Sequence, residues 1–399
     1  MRVGILGHGF IDWGGGLDFL RLICASLAAS EQEMELHLLL PTRGPRLAAR
    51  QTVRRAKHAV NAALGRPSAT RAKTPGARIV VEFVRGSHVP LHAHEIDSGQ
   101  SALSRAAQHL RLDALLPSVQ PLQIGAGLPW LGYIADFQHA HLPHFFSAEE
   151  IAARNLNFAD MLERSRCVIV NARAVASDIE RLMPGRPAQV VALPFSAAPN
   201  PAWFELNEAP LARYGIDGPY FIISNQFWQH KDHLCAYRAL ALLHAQHPDV
   251  LLVCTGETSD FRNPDHFHML CREADALGIA PRLRILGLIP KCDQIALMRA
   301  ALAVVQPTLF EGGPGGGSVF DAVALGLSVI VSDIPANLEI DEANVQFFKA
   351  SDAVALCAAM AERLRSGPDR RQSPQQLMEA GLRRRKACGD TLVAALRGL

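Results

Sequence analysis

The stretch from Gln306 to Asp333, QPTLFEGGPGGGSVFDAVALGLSVIVSD, indicates an apolar strand, a glycine-rich loop, a short helix and a second apolar strand. Such a unit is typical of a parallel α/β sheet. The glycines at 315–317 place uncovered backbone N–H groups just ahead of the helix N-terminus. An anion binds well at that position. The stretch therefore predicts a phosphate site at the carboxyl end of a strand.

Two acidic residues, Glu311 and Asp321, flank this predicted phosphate site. An ionised carboxylate only accepts hydrogen bonds, which suits the hydroxyl groups of a sugar. Together with the phosphate site, the two acids predict a pocket for a sugar nucleotide. Asp321 has an alternative role, because Ser318 and Asp321 have the spacing of a helix capping box.

Short apolar runs alternate with helical patterns along the rest of the chain, as in doubly wound parallel α/β domains. We predict two such domains, because 399 residues are long for one domain and five prolines lie between Pro194 and Pro219. The predicted bounds are 1–198 for the N-terminal domain and 199–375 for the C-terminal domain. A final helix at 376–399 is expected to cross back to the N-terminal domain.

Ligands bind off the carboxyl ends of strands in such sheets, so Asn225, Gly256 and Glu311 are predicted to lie at one crevice. Each follows a predicted strand. Strands are predicted at 3–6, 35–40, 79–84, 114–116, 131–134, 168–171 and 190–193 in the first half, and at 220–224, 250–255, 283–288, 303–306 and 329–331 in the second.

The composition indicates a globular protein of a reducing compartment. Eight cysteines are scattered without a Cys-x-x-Cys pair or metal-ligand spacing. The N-terminus, MRVGILGHGF, indicates a strand and not a secretory signal. Three prolines interrupt the uncharged stretch 114–135, so a membrane-spanning helix is not expected there. We therefore expect a cytoplasmic protein.

A basic segment lies between Arg43 and Arg78, with ten Lys or Arg residues and no acidic residue. One interpretation is a solvated loop. The other is peripheral contact of residues 43–78 with an anionic membrane or acceptor, because a polybasic cluster gains about 1 kcal/mol per basic residue near an acidic membrane. Nucleic acid is not an expected partner, because no aromatic residue lies between Phe19 and Phe83.

The segment Asn225–His233, NQFWQHKDH, follows a predicted strand and opens a helix. Lys231 can reach a pyrophosphate at the crevice and offset the charge on a departing nucleoside diphosphate. The alternative is a solvated lysine in the first turn of a helix, where the helix dipole slightly disfavours a cation.

These motifs resemble those of retaining GT-B glycosyltransferases, in particular glycosyltransferase family 4. FEGGPGGGSVFDA resembles the family's Glu-x7-Glu motif, with Glu311 as the first acid and Asp321 as the second. The segment ending at Lys231 resembles its Arg-x4-Lys pair, and LGYIADFQHAHLPHFF resembles the stretch that carries its His-Asp. The resemblance extends from Gly14 to about Asp333. It implies two Rossmann-like domains facing a central cleft, and a nucleotide sugar as co-substrate with no other cofactor.

Three positions depart from the family's pattern. Nine residues separate Glu311 from Asp321, two more than usual, and the second acid is an aspartate. Gln226 stands where a phosphate-binding arginine is usual, which leaves Lys231 as the main cation. Ala135 stands where the family often has a histidine, so a neighbouring residue must serve at the acceptor side.

The resemblance implies specific roles for the site residues. Glu311, Lys231 and Asp136 are expected to be catalytic, and Gly15, Gly16 and His139 to form an acceptor or phosphate loop. No metal is expected, and a zinc site at His139, His141 and His144 is a minor alternative. The residues expected to bind the donor are Asn225, Gln226, Leu288, Gly315, Gly316, Gly317, Ser318 and Asp321.

The expected function is retaining transfer of a hexose from a nucleotide-diphosphate sugar to a saccharide or lipid-linked acceptor, in polysaccharide, lipopolysaccharide or glycolipid assembly. A sugar-nucleotide epimerase of the same fold and a catalytically inactive GT-B-like binding protein stay open as alternatives. A nicotinamide dehydrogenase fits poorly, because Gly4, Gly7 and Gly9 do not match G-x-G-x-x-G.

Overall fold

A computed structural model describes residues 1–12, 14–42, 77–86, 89–97, 99–124, 127–206, 209–367 and 372–399. These residues form two compact units. The first comprises Met1–Ala135, Leu142–Ser196 and Arg385–Leu399, and the second comprises Asp136–His141 and Ala197–Arg384. The predicted membrane contact falls mostly on residues 43–76, which lie outside the described residues.

The first unit contains a parallel sheet of described strands in the order β3-β2-β1-β4-β5-β6-β7. Its strands are β1 (Arg2–Leu6), β2 (Glu35–Pro41), β3 (Leu91–Ile96), β4 (Ala114–Ser118), β5 (Trp130–Tyr133), β6 (Cys167–Val170) and β7 (Gln189–Ala192). The helices in this part of the chain are α1 (Gly14–Ala29), α2 (Ala77–Arg85), α3 (Gln100–His109), α4 (Gln138–His141, grouped with the second unit), α5 (Ala148–Arg164) and α6 (Arg173–Leu182).

The second unit contains a parallel sheet of described strands in the order β10-β9-β8-β11-β12-β13. Its strands are β8 (Tyr220–Ser224), β9 (Leu251–Thr255), β10 (Leu283–Gly287), β11 (Val304–Gln306), β12 (Val329–Ser332) and β13 (Val345–Phe348). Its helices are α7 (His233–His244), α8 (His266–Ala276), α9 (Lys291–Ala300), α10 (Gly316–Ala324), α11 (Ala353–Arg365) and α12 (Pro374–Arg397), of which α12 continues into the first unit from Arg385.

Both strand orders are those of a Rossmann-like doubly wound sheet, so the predicted fold class is confirmed. The strands consist mainly of buried apolar residues, because helices cover both faces of a parallel sheet. In the second unit the order reverses between β8 and β11, which are hydrogen-bonded neighbours. Ligands bind at such a reversal, beyond the carboxyl ends of the two strands.

One predicted strand is wrong. Residues 79–84 belong to helix α2, in which Val80 and Val84 are fully buried and Ile79 is exposed. The buried pair has the spacing of one helix face, and Arg78 and Glu82 form an ion pair with the same spacing. The β-branched residues suggested a strand, but the helical period of the buried positions decides the structure.

Two strands were missed, β3 and β13. Each lies at an edge of its sheet and has a strand neighbour on one side only. β3, LHAHEI, has a polar residue at three of its six positions, and Leu91 is its one buried residue. Among the described residues, no helix is both long and apolar enough to cross a lipid bilayer.

Candidate functional site

The two strands at the reversal carry the central pair of the site. Lys231 follows β8 and Glu311 follows β11, and the Lys231 Nζ lies 2.5 Å from Oε1 of Glu311. Both side chains are about nine-tenths buried, with exposures of 9% and 11%. A buried ion pair requires good geometry, because both charges lose their hydration. Lys231 is therefore an oriented cation, and the interpretation of a solvated lysine is wrong.

Backbone hydrogen bonds fix the loop that carries Lys231. The carbonyl of His230 accepts from the N–H of Leu309 at 2.8 Å and from Oγ1 of Thr308 at 3.2 Å. On the other side, the N–H of Gln229 donates to the buried carboxylate of Asp260 at 3.1 Å. The loop after β8 is thus hydrogen-bonded to the loops after β11 and β9, which fixes the backbone position of Lys231.

A chain of side-chain hydrogen bonds orients Glu311. Nε2 of Gln306 donates to Oε1 of Glu311 at 2.8 Å, and Oγ of Ser318 donates to Oε1 of Gln306 at 3.1 Å. Gln306 is fully buried at the end of β11. Lys231 and Gln306 thus both donate to Oε1 of Glu311, while Oε2 faces Gly316, whose added Cβ would lie 3.4 Å away.

The glycine-rich loop presents a helix N-terminus, as predicted. Gly315 caps α10 in the left-handed conformation (φ 68°) and is buried. Its N–H donates to Oδ1 of the fully buried Asn337 at 2.8 Å, so this amide is already engaged. Gly317 is exposed. Apart from its chain neighbours and the backbone of its own helix, no described atom would lie within 4 Å of a Cβ added to Gly317. The open face of the loop is therefore at Gly316 and Gly317.

Asp321 lies one helical turn beyond Gly317 and forms an ion pair with Lys291, the first residue of α9. The capping-box alternative is wrong, because the cap of α10 is Gly315 and Ser318 lies inside the helix. The two acids have different cation partners, Lys231 for Glu311 and Lys291 for Asp321.

The other predicted donor residues lie at strand ends of the same unit. Asn225 follows β8, and no described residue forms a hydrogen bond with its buried Nδ2. Buried polar atoms normally have a partner, so this amide is a candidate ligand contact. Gln226 is exposed. Leu288, which follows β10, is 75% exposed, an unusual state for a leucine.

The predicted acceptor residues have other neighbours. Oδ1 of Asp136 accepts from the N–H of Gln138 at 2.9 Å, a local turn contact at the start of α4. His139 is buried, with its ring 5.7 Å from that of Phe137. In the first unit, Gly15 is exposed and Gly16 is buried in the first turn of α1. The roles predicted for Asp136, His139, Gly15 and Gly16 stay predictions.

Two buried histidines adjoin Lys231. Burial, together with the nearby charge of Lys231, lowers the pKa of His230 to about 2. Burial and the neighbouring His266 lower the pKa of His233 to about 3. Both rings are therefore neutral at physiological pH, so Lys231 supplies the positive charge of this loop. Among the described residues, no group of three or more His, Cys, Asp or Glu side chains suits a metal ion, and the expected absence of a metal stays a prediction.

Three residues of the site were not predicted from the sequence: Gln306, Asn337 and Lys291. Gln306 left a signal, because a polar side chain interrupts the apolar run AVVQPT. Asn337 and Lys291 left none, since each meets its partner only through the packing of separate β-α units.

Comparisons with known proteins give a family match for part of the chain and a shared fold along its length. Residues 213–381 match the family model for glycosyl transferases group 1. No curated protein matches the chain in sequence. The chain is similar in structure to sucrose-phosphate synthase from Thermosynechococcus elongatus, with 16% identity, a TM-score of 0.61, and coverage of 100% of this chain and 97% of that one.

Two further structures share the fold over nearly their whole lengths. Anabaena HepE, solved in complex with UDP and glucose, has 15% identity and a TM-score of 0.59, with 100% of this chain and 97% of that one covered. WaaG, a glycosyltransferase involved in lipopolysaccharide biosynthesis, has 14% identity and a TM-score of 0.55, with 99% and 98% covered. The family match over residues 213–381 and the fold shared along the chain together support a GT-B glycosyltransferase.

Proposed function

We propose that this protein is a retaining glycosyltransferase that moves a sugar from a nucleotide-diphosphate sugar to a saccharide or lipid-linked acceptor. The observation that carries the proposal is the oriented pair of Lys231 and Glu311 beside the N-terminus of α10. The glycosyl transferases group 1 match covers both residues and the helix.

The donor diphosphate would bind at the open face of the glycine loop. The N–H groups of Gly316 and Gly317 belong to the first turn of α10, where the helix dipole is positive. Lys231 adds a full charge. An ammonium group has three N–H donors, and its bond to Glu311 leaves others for phosphate oxygens.

Glu311 would hold hydroxyl groups of the donor sugar. Its Oε1 is bound by Lys231 and Gln306, which fixes the plane of the carboxylate. Its Oε2 then accepts from the sugar on the side of Gly316. A larger residue at 316 would intrude on that space, which explains a glycine at this position.

The proposed reaction needs no protein nucleophile. The bond from the anomeric carbon to the diphosphate oxygen breaks, the acceptor oxygen forms a bond to that carbon on the same face, and the acceptor proton passes to the leaving phosphate. Lys231 and the helix amides stabilise the negative charge of the leaving group, and binding aligns the reactants. We propose that this transfer is metal-independent because these groups supply the positive charge.

The remaining expectations enter the proposal as well. Asp136 and His139 are proposed to serve the acceptor, and Gly15 and Gly16 to bind acceptor or phosphate. HepE was solved with UDP-glucose and WaaG is involved in lipopolysaccharide biosynthesis, which supports a hexose donor and a role in polysaccharide, lipopolysaccharide or glycolipid assembly. The proposed setting is the cytoplasm, at the inner face of a membrane.

The test is an acceptor-dependent transfer assay with the full chain. Nucleotide sugars of the five common bases are incubated with saccharide and lipid-linked acceptors, and release of nucleoside diphosphate is measured. NMR then compares the anomeric configuration of the product with that of the donor. We expect release that depends on acceptor, retention of configuration, and loss of both in Lys231→Met.

Three outcomes would contradict the proposal in different ways. Inversion of configuration would remove the retaining mechanism. Conversion of the donor sugar without any acceptor would favour the epimerase. An inactive binding protein would be favoured if the wild type released nucleoside diphosphate no faster than Lys231→Met with every donor and acceptor.

A further inference from the structure

An exposed aromatic side chain lies in the loop that follows β9. Phe261 is 63% exposed. A single exposed phenylalanine is ordinary on the surface of a globular protein. Phe261 differs because its loop follows a strand that is hydrogen-bonded to β8, and ligands bind beyond the carboxyl ends of such strands. Its ring is therefore a candidate substrate contact.

A second aromatic residue, the half-buried Trp228, is joined to Phe261 through Arg262. The guanidinium carbon of Arg262 lies 5.3 Å from the ring centroid of Trp228 and 5.3 Å from that of Phe261. An aromatic face attracts a guanidinium, so one cation holds both rings. Trp228, Phe261 and Arg262 are called the aromatic cluster below.

Hydrogen bonds fix the backbone of the aromatic cluster. The N–H groups of Gln229 and Arg262 both donate to the carboxylate of the buried Asp260, at 3.1 Å and 3.0 Å. Nδ2 of Asn263 donates to Oε1 of Gln229 at 3.2 Å. The loops after β8 and β9 are thus joined at several points, so the rings are pre-organised and a ligand loses less free energy in ordering them.

The aromatic cluster lies between the loop of Lys231 and the segment proposed to serve the acceptor. Trp228 is three residues ahead of Lys231 in the same loop. Nη1 of Arg262 donates at 3.1 Å to Oε1 of Gln138 in α4, and Gln138 directly precedes His139. Two parts of the substrates could stack on an aromatic ring, the nucleobase of the donor and a sugar of the acceptor. The contact with α4 favours the acceptor.

A sugar ring is complementary to an exposed phenylalanine. The C–H groups on one side of a pyranose form an apolar face, which packs flat against an aromatic ring and leaves the hydroxyl groups at the edge in water. The ring of Phe261 can make this contact at a low cost in conformational entropy, since a phenylalanine side chain has two rotatable bonds. A lipid phosphate without a sugar has no such face.

We propose that Phe261 is a specificity-determining residue for the acceptor, and that its ring stacks on the C–H face of the terminal sugar of a glycan or glycolipid. The acceptor is then a sugar-bearing molecule and not a sugar-free lipid phosphate. This inference rests on the proposed function.

The test is steady-state kinetics of the full chain, measured as release of nucleoside diphosphate. The acceptors are the methyl glycosides of glucose, galactose, mannose and N-acetylglucosamine, and farnesyl phosphate as a lipid without a sugar. Each is combined with nucleotide sugars of the five common bases. We expect the wild type to use at least one glycoside and to use it better than farnesyl phosphate.

The variants separate acceptor binding from the rest of the reaction. In Phe261→Ala, the acceptor KM should rise about tenfold, while kcat and the donor KM stay within about twofold. A stacking contact that is equal in the ground state and the transition state has this effect. Phe261→Tyr keeps the aromatic ring and should keep the wild-type acceptor KM.

The matched control is Phe347→Ala, because Phe347 is an exposed phenylalanine in β13, at an edge of the same sheet. It should change neither KM. If Phe261→Ala keeps the wild-type acceptor KM, if it raises only the donor KM, or if farnesyl phosphate is used better than every glycoside, this inference is wrong and the proposed function stands. If the wild type releases no nucleoside diphosphate with any pair, both are wrong.

Discussion

Lys231 and Glu311 are eighty residues apart in the chain, yet the Nζ of one lies 2.5 Å from Oε1 of the other. Strands β8 and β11 are neighbours at the reversal of the strand order, and this adjacency brings their following loops together. The adjacency of the two strands thus forms the pair. Because both side chains are buried, each charge is stabilised by the other.

Removal of both charges of this pair should destabilise the fold by less than the sum of the two single removals. Lys231→Met leaves the Glu311 carboxylate buried beside Gln306 without its cation, so we expect a loss of about 3 kcal/mol in the free energy of unfolding. Glu311→Gln should cost a similar amount. The double variant should lose clearly less than the sum, measured by urea unfolding of the full chain.

The exposed pair of Arg78 and Glu82 serves as the control for that cycle, because 91% and 63% of these side chains are exposed. Its removal should change the unfolding free energy little. Strict additivity of the Lys231 and Glu311 variants would show that the two charges do not interact in solution.

Gly317→Ala should separate ligand binding from stability. A Cβ at this position meets open space, so the unfolding free energy should stay the same or rise by up to about 1 kcal/mol. The methyl group would stand where the phosphate is proposed to bind. We therefore expect at least tenfold weaker binding of a nucleoside diphosphate, measured by calorimetry.

Gly316→Ala is the comparison variant. Gly316 has a φ of 62°, and a Cβ there would lie 3.2 Å from Nε2 of Gln306, so this change should lower both stability and affinity. Unchanged affinity in Gly317→Ala would place the phosphate elsewhere.

Asn337→Ala should destabilise the glycine-rich loop. The Asn337 side chain accepts from the N–H of Gly315 at 2.8 Å and donates to the carbonyl of Ser332 at 2.9 Å. Without it, both buried groups lose their partner, and we expect about 2 kcal/mol lower stability and weaker nucleotide binding. Asn344→Ala removes a side-chain hydrogen bond to the carbonyl of Leu327, ahead of β12, and should leave nucleotide affinity unchanged. Equal affinities in the two variants would argue against a role for Asn337 in the site.

The stability of the chain should fall with acid because His233 is buried and neutral. Its pKa is about 3 in the folded state against 6.5 for an ordinary histidine, so below pH 6.5 the unfolded chain binds a proton that the folded chain does not. The free energy of unfolding therefore decreases as pH falls from about 6.5 towards 3. His233→Phe keeps a ring against Phe227, whose centroid lies 4.2 Å away, and removes the titrating group.

Between pH 7.5 and pH 5, the wild type should lose about 2 kcal/mol more than His233→Phe. Urea unfolding at the two pH values measures this difference. The control is His268→Phe, a change at an exposed histidine. Wild type and His268→Phe should lose nearly the same unfolding free energy between the two pH values. Parallel pH profiles for wild type and His233→Phe would contradict the assignment of a buried neutral ring.

The sequence was sufficient for the fold class because buried parallel strands are continuous apolar runs. Such runs predicted the central strands of both sheets, including β8 and β11. Strands β3 and β13 were missed because polar residues interrupt their apolar pattern, which an edge strand tolerates; the other two edge strands, β7 and β10, were predicted. Helix α2 was mistaken for a strand because its β-branched residues concealed the buried spacing of Val80 and Val84.

The candidate site was predictable where its residues share one motif or follow neighbouring strands. Glu311 and the glycines lie in one stretch, and Lys231 follows a predicted strand. The partners that orient them were not predictable, since Asn337 and Lys291 reach Gly315 and Asp321 from elements whose packing no local pattern encodes.

The most direct measurement is a crystal structure of the full chain with a saturating nucleoside diphosphate. We expect a phosphate oxygen about 2.8 Å from the Nζ of Lys231 and another within hydrogen-bonding distance of the N–H of Gly317. A diphosphate bound away from both groups would contradict the proposed site.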